Sequence, residues 1–203
     1  THKAKADGAP FKVFLFGYDQ PLIADWLDAV AKGHLTELSV APCPTYTRIE
    51  QWQQLHPTAF NPVICNIPFV NQRNFDALIS DFDWLFVRGE DSFVRAQWAA
   101  KPLVWQIYPQ EDAVHLIKLK AFYEHYLDQG VLTATERSTY WRFVLSWNAG
   151  GSETPDTNPA ELWPKLLSIY PALLENARVW RSKLLQQADL VTQLRDFVGH
   201  LVK

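Results

Sequence analysis

The sequence predicts an α/β fold, a Rossmann-like doubly wound parallel sheet, and three observations carry that prediction. Five short apolar runs alternate with stretches of helical periodicity. The runs are near-continuous in apolar residues, as strands covered on both faces require. A single helical stretch separates successive runs, which suits the right-handed crossovers of parallel strands.

The elements follow in order. The first run is Phe11-Lys12-Val13-Phe14-Leu15-Phe16. A helix then spans Pro21 to Lys32, with Leu22, Ile23, Trp26, Leu27 and Val30 at helical spacing. Pro21 suits its first turn and Gly33 its stop. The second run is Leu35 to Val40, closed by Ala41-Pro42-Cys43-Pro44. Thr47 to Leu55 reads as a helix capped by Thr45 or Thr47. The third run is Pro62 to Phe69, followed by a short helix from Asn71 to Ile79. The fourth, Trp84-Leu85-Phe86-Val87, leads into a helical pattern from Phe93 to Ala100. The fifth is Pro102 to Tyr108. Helices are predicted over Val114 to Leu127, stopped at Gly130, and over Glu136 to Trp147. The stretch from Asn148 to Pro155 reads as a loop. From Pro159 to Val202 apolar residues recur at helical spacing, with kinks or breaks expected at Pro164 and Pro171.

The 203 residues suit one domain, or one with an appendage. With 48% hydrophobic residues a sizeable core is expected. The net charge of -3 gives no electrostatic case for a nucleic-acid partner or an anionic membrane. No apolar run approaches the roughly 20 residues that span a bilayer. Thr1 to Gly8 has no signal-peptide apolar core. Cys43 and Cys65 are too sparse for a disulfide framework and read as reduced thiols. A cytoplasmic protein is the expectation. The chain contains no methionine, even at position 1, and its polar opening resembles a linker. The expected organisation is a linker over 1–10, a Rossmann-like domain over 11–157 and a helical extension over 158–203. That extension is expected to pack on the domain and on a missing N-terminal domain of a longer protein.

The most informative segment is Arg88-Gly89-Glu90-Asp91-Ser92-Phe93, where the fourth strand hands over to a helix. In open α/β sheets ligands bind beyond the carboxyl ends of strands, against helix N-termini. Two readings stay open from the residues alone. Glu90, Asp91 and Ser92 can simply cap the helix and complement its dipole. Alternatively, the first-turn amides and Ser92 receive a phosphate while a carboxylate accepts sugar hydroxyls, which fits a nucleotide-sugar ligand. Arg88 can pair with either carboxylate or assist the phosphate. After the third strand, Phe69, Gln72 and Phe75 offer aromatic stacking and an amide for a pyrimidine edge. Phe16 and Tyr18 end the first strand. These clusters also read as ordinary core and loop residues, and they converge only if the sheet is as predicted.

Other chemistries find little support. The first strand leads into Gly17-Tyr18-Asp19-Gln20-Pro21, which lacks the G-x-G-x-x-G fingerprint of a dinucleotide site. The six histidines are scattered, without metal-ligand spacing. There is no G-x-S-x-G elbow and no Walker loop. Asp81 and Asp83 precede the fourth strand and belong at the opposite end of the sheet. Trp98, Trp105, Trp141 and Trp147 read as packing residues.

The run Phe86 to Ala99, continued by Lys101 to Gln110, closely resembles the EarP family of bacterial protein-arginine rhamnosyltransferases, which modify elongation factor P. The tail segment Pro171-Ala172-Leu173-Leu174-Glu175-Asn176-Ala177-Arg178 is similar as well. The resemblance spans nearly the whole chain but only the family's C-terminal half. It implies the C-terminal half of a GT-B fold, binding dTDP-β-L-rhamnose and needing neither metal nor cofactor. It implies contacts from Glu90, Asp91 and Ser92, with Arg88 beside them, to the donor's sugar and diphosphate. It places Phe16, Tyr18, Phe69, Gln72 and Phe75 around the thymine. The family's catalytic aspartates lie in its N-terminal half and have no counterpart here; Asp19 and Asp25 do not replace them. The isolated chain is therefore expected to bind donor and transfer almost nothing. The alternative is a non-catalytic α/β nucleotide-binding or protein-interaction module, with the tail as a partner surface.

Overall fold

The computed structural model describes residues 8–59, 61–110, 113–148 and 158–201. Residues 1–7 of the expected linker, 149–155 of the expected loop, and Val202 lie outside the described residues.

Five parallel strands form one sheet: β1 (Phe11–Leu15), β2 (Thr36–Val40), β3 (Val63–Asn66), β4 (Trp84–Arg88) and β5 (Leu103–Gln106). Their order is β3-β2-β1-β4-β5. The chain winds outward from β1 to one edge, then crosses to β4 and winds to the other. That reversal opens a crevice between β1 and β4 at the carboxyl ends, the ligand position of doubly wound sheets. Register aligns those ends, because Leu15 pairs with both Val40 and Phe86. Beyond the strands the ladder runs one step further, with amides of Phe16, Ala41 and Ile67 donating to Phe86, Leu15 and Val40.

Helices α1 (Ile23–Ala31) and α2 (Tyr46–Leu55) neighbour each other, as do α3 (Gln72–Ser80) and α4 (Asp91–Trp98). After β5 the described elements are helices: α5 (Val114–Leu127), α6 (Ala134–Asn148), α7 (Pro159–Ser168), α8 (Tyr170–Leu185) and α9 (Leu190–Leu201). Helix α7 packs between α1 and α6, and α8 packs on α4 and α5. Trp163 of α7 is buried, its ring centroid 5.2 Å from Trp26 and 5.1 Å from Trp84. The residues from 158 onward thus supply part of the core around β4.

Several local expectations need correction. Pro21 lies in a turn before α1, which starts at Ile23; there Gln20 accepts the Leu22 amide at 3.1 Å. Thr45 occupies the N-cap position of α2, but its hydroxyl donates to the Tyr18 carbonyl and caps nothing. Pro164 sits inside α7 without breaking it; the break falls at Ile169, and Pro171 occupies the first turn of α8. Strand β3 is an edge strand with Val63 exposed, so its apolar run is not buried on both faces. Cys43 and Cys65 are free and half-buried.

The other edge, β5, is wholly buried, and among the described residues no further strand satisfies it. Tyrosines from α5 and α6 do so instead. The Leu103 amide donates to the Tyr140 hydroxyl at 2.8 Å, and the Trp105 amide to the Tyr123 hydroxyl at 3.0 Å. Both hydroxyls donate in turn to the Leu103 carbonyl. Asn148 completes the row, accepting from the Ile107 amide and donating to the Trp105 carbonyl. Tyr123→Phe should therefore destabilise the fold by about 1–3 kcal/mol, because it leaves a buried amide unpaired. Urea unfolding measures this; no change in midpoint would contradict the edge-capping role. Burial pushes both phenols well above their ordinary pKa. Their neutral forms stabilise the fold fully below pH about 10, and that contribution is lost as pH rises beyond it.

Candidate functional site

A cleft of about 510 Å³ opens at the carboxyl ends of β1, β3 and β4. Phe16, Tyr18, Phe69, Gln72, Phe75, Arg88, Glu90, Asp91 and Ser92 all line it. The topology explains the convergence: residues 16–18 leave β1, residues 69–75 lead into α3, and residues 88–92 join β4 to α4.

The β4–α4 turn is built from its backbone outward. Gly89 takes φ +68°, a left-handed conformation that a side chain would strain. The Trp105 indole donates to the Gly89 carbonyl at 2.9 Å and stacks on Phe93 at 3.9 Å between centroids. The turn is thereby pinned to β5. Beyond it the first amides of α4 have no acceptor within the helix, as at every helix N-terminus. Ser92 is buried, and its hydroxyl donates back to the Arg88 carbonyl. Glu90 stands at the N-cap position but makes no capping bond; it pairs with Lys118 at 2.7 Å. The simple capping reading of Glu90 therefore fails.

Arg88 pairs with neither carboxylate. Its guanidinium lies over the rings of Phe16 and Tyr18, 4.5 and 5.0 Å from their centroids. Among the described residues it has no ion-pair partner, so its charge is held by aromatic faces. Asp91 is instead engaged by Arg95, whose Nε donates to its Oδ2 at 3.0 Å. Gln72 donates to the same oxygen at 3.3 Å, joining the α3 wall to the α4 wall. Asn71 caps α3 by accepting the Asn74 amide, which fixes where Gln72 begins the helix. Phe69 is 75% exposed, leaving a ring face for a ligand. Phe75 is packed edge-on against Phe14 in the floor.

Sequence reasoning missed three supports of this site. Gln106, at the end of β5, accepts the Tyr18 amide at 2.7 Å and donates to the Asp19 carbonyl at 3.3 Å. It shapes the β1–α1 loop, and Gly17 is needed there because a Cβ would lie 2.6 Å from the Gln106 Oε1. A polar residue interrupting the fifth apolar run was the available signal. The second is Tyr108, exposed and edge-on to Tyr18 at 5.6 Å. The third is Arg48, which pairs with Asp19 at 2.6 Å and holds that carboxyl below its usual range. Asp83 lies at the opposite end of the sheet, accepting the Lys12 amide at 2.7 Å. Trp105 and Trp147 are buried packing residues, while Trp98 is partly exposed. Among the described residues no helix is long and apolar enough to cross a membrane.

This is a Rossmann-like α/β domain of the kind found in GT-B glycosyltransferases, with the cleft at the strand switch point. A solved structure of glycosyltransferase VinC in complex with dTDP shares that fold at TM-score 0.53 and 14% identity, covering 96% of this chain and 42% of the other. More specifically, the chain belongs to the EarP family: the family model described as Elongation-Factor P (EF-P) rhamnosyltransferase EarP matches residues 2–199. A protein-arginine rhamnosyltransferase of Pseudomonas putida is 34% identical over 195 residues, which cover 91% of this chain and 49% of the relative. One from Shewanella oneidensis is 41% identical over 132 residues, covering 65% of this chain and 32% of the relative. A structure described as the basis for EarP-mediated arginine glycosylation of translation elongation factor EF-P matches at TM-score 0.75 and 30% identity. It is covered over 97% of this chain and 62% of its own. The chain spans about half, or less, of the length of the curated relatives it matches.

Proposed function

We propose that this chain is the donor-binding domain of an inverting cytoplasmic glycosyltransferase. The enzyme transfers rhamnose from dTDP-β-L-rhamnose to an arginine side chain of elongation factor P. The observation that carries this reading is the convergence of all nine nominated residues on one cleft at the switch point.

The division of labour follows from chemistry and position. Phe69 and Phe75 offer ring faces to a thymine, and the Gln72 amide offers hydrogen bonds to its edge. Arg88 and the α4 first-turn amides meet the diphosphate, where charge develops as the leaving group departs. Asp91 and Glu90 accept hydrogen bonds from sugar hydroxyls. Inversion requires direct displacement of dTDP by the acceptor guanidine nitrogen, with a base to take its proton. We assign that base to the half of the enzyme that this chain does not span, and no metal to the reaction. The apolar row of α9, with Leu190, Val191, Leu194, Phe197 and Val198 exposed, suits a packing surface for that half. The chain alone should then transfer little or no rhamnose, and transfer near the rate of a full-length relative would refute that assignment.

Glu90→Ala separates a binding role from a structural one. Among the described residues the Glu90 side chain makes only an exposed ion pair, so its loss should barely move the melting temperature. Donor affinity measured by calorimetry should fall. A fall in stability with affinity intact would mean that Glu90 serves the fold rather than the donor.

A further inference from the structure

Arg95 does not line the cleft, yet it joins the two elements that do. Its Nη1 donates to both carboxylate oxygens of Asp76 on α3, at 3.0 and 2.9 Å. Its Nε donates to Asp91 Oδ2 on α4 at 3.0 Å. The guanidinium is thus a planar staple between neighbouring helices, and its fork geometry is what a Lys could not reproduce. Arg95 is 25% exposed, while its carboxylate partners Asp76 and Asp91 are open to solvent. Asp91 receives both of its bonds, from Arg95 and Gln72, on one oxygen, which leaves Oδ1 for a ligand hydroxyl. Asp76 is exposed, lies outside the cleft, and connects to it only through Arg95 among the described contacts.

We propose that Arg95 is a positioning residue that ties the nucleobase wall on α3 to the sugar-diphosphate turn on α4, so that both halves of the donor are gripped at a fixed separation. This rests on the donor-binding reading of the cleft. A ligand spanning both walls then feels the staple, whereas one touching only the α3 wall does not. The staple also orients the Asp91 carboxylate by occupying its other oxygen.

The test compares dTDP-rhamnose and thymidine binding to the unsubstituted chain, Asp76→Asn, Arg95→Met and the double variant, with melting temperature as a fold control. Each single variant should weaken dTDP-rhamnose by about two- to fivefold, the range of a solvent-exposed charged bridge. Thymidine affinity and the melting temperature should stay nearly unchanged. The double variant should bind no more weakly than Arg95→Met, because both substitutions break one bridge. Asp76→Asn binding dTDP-rhamnose as tightly as the unsubstituted chain would overturn the proposal, even if Arg95→Met bound weakly. Failure of the unsubstituted chain to bind dTDP-rhamnose at all would overturn the donor reading itself and this inference with it.

Discussion

With Arg88 replaced by Met, thymidine diphosphate is expected to bind the cleft about ten- to a hundredfold more weakly, the loss of one to two charge-assisted hydrogen bonds. Arg88 is the last residue of β4, so its side chain emerges at the mouth of the crevice. Its guanidinium lies over Phe16 and Tyr18 and has no carboxylate partner among the described residues. The ring faces supply about 0.5–2 kcal/mol of attraction and hold the fork in place without neutralising it. A phosphate arriving at the α4 N-terminus then meets a positioned, unpaired cation. Met keeps a stem of similar length and removes the guanidinium, with both its charge and its N–H donors. The melting temperature should change little, and calorimetric titration with thymidine diphosphate reads the affinity. An unchanged Kd would mean that the diphosphate does not reach this turn.

Replacing Trp163 by Ala should cost about 3–5 kcal/mol of stability, the usual range for truncating a buried aromatic. Trp163 is fully buried against Trp26, Trp84, Phe86 and Phe143. Its helix fills the gap between α1 and α6, so the cavity has little means of collapse. Domains of this size carry about 5–15 kcal/mol in total, and the melting temperature should fall by on the order of ten degrees. If α7 were a detachable appendage, thermal unfolding monitored by circular dichroism would shift by no more than a degree or so.

The fold was legible wherever apolar runs were long enough to mark strands buried on both faces. Val13-Phe14-Leu15 and Trp84 to Val87 show this best, and both lie at the centre of the sheet. The run at Val63 was equally apolar but forms an edge, because strand order is not written in composition. The role of Trp163 was hidden for a related reason: helical periodicity identifies an apolar face but not what it packs against. In the candidate site, the nominated residues were findable because they sit at strand-to-helix transitions. Arg95, Gln106 and Lys118 were not, since each acts on a residue 19 to 88 positions away, as with Arg95 on Asp76, Lys118 on Glu90 and Gln106 on Tyr18. The Asp76–Arg95–Asp91 bridge likewise exists only once α3 and α4 lie side by side. Thr45 illustrates the opposite error. Its sequence position suits a helix cap, but tertiary contact gives its hydroxyl to Tyr18.

The central claim is that one cleft binds a nucleotide-sugar donor through two walls. Titrating the isotope-labelled chain with thymidine diphosphate and following backbone amide resonances tests it most directly. The account predicts saturable shifts clustered at residues 16–18, 69–75 and 88–92, with the rest of the sheet unmoved. Thymidine diphosphate that shifts none of these amides at millimolar concentration would contradict it and leave a non-catalytic α/β module as the better description.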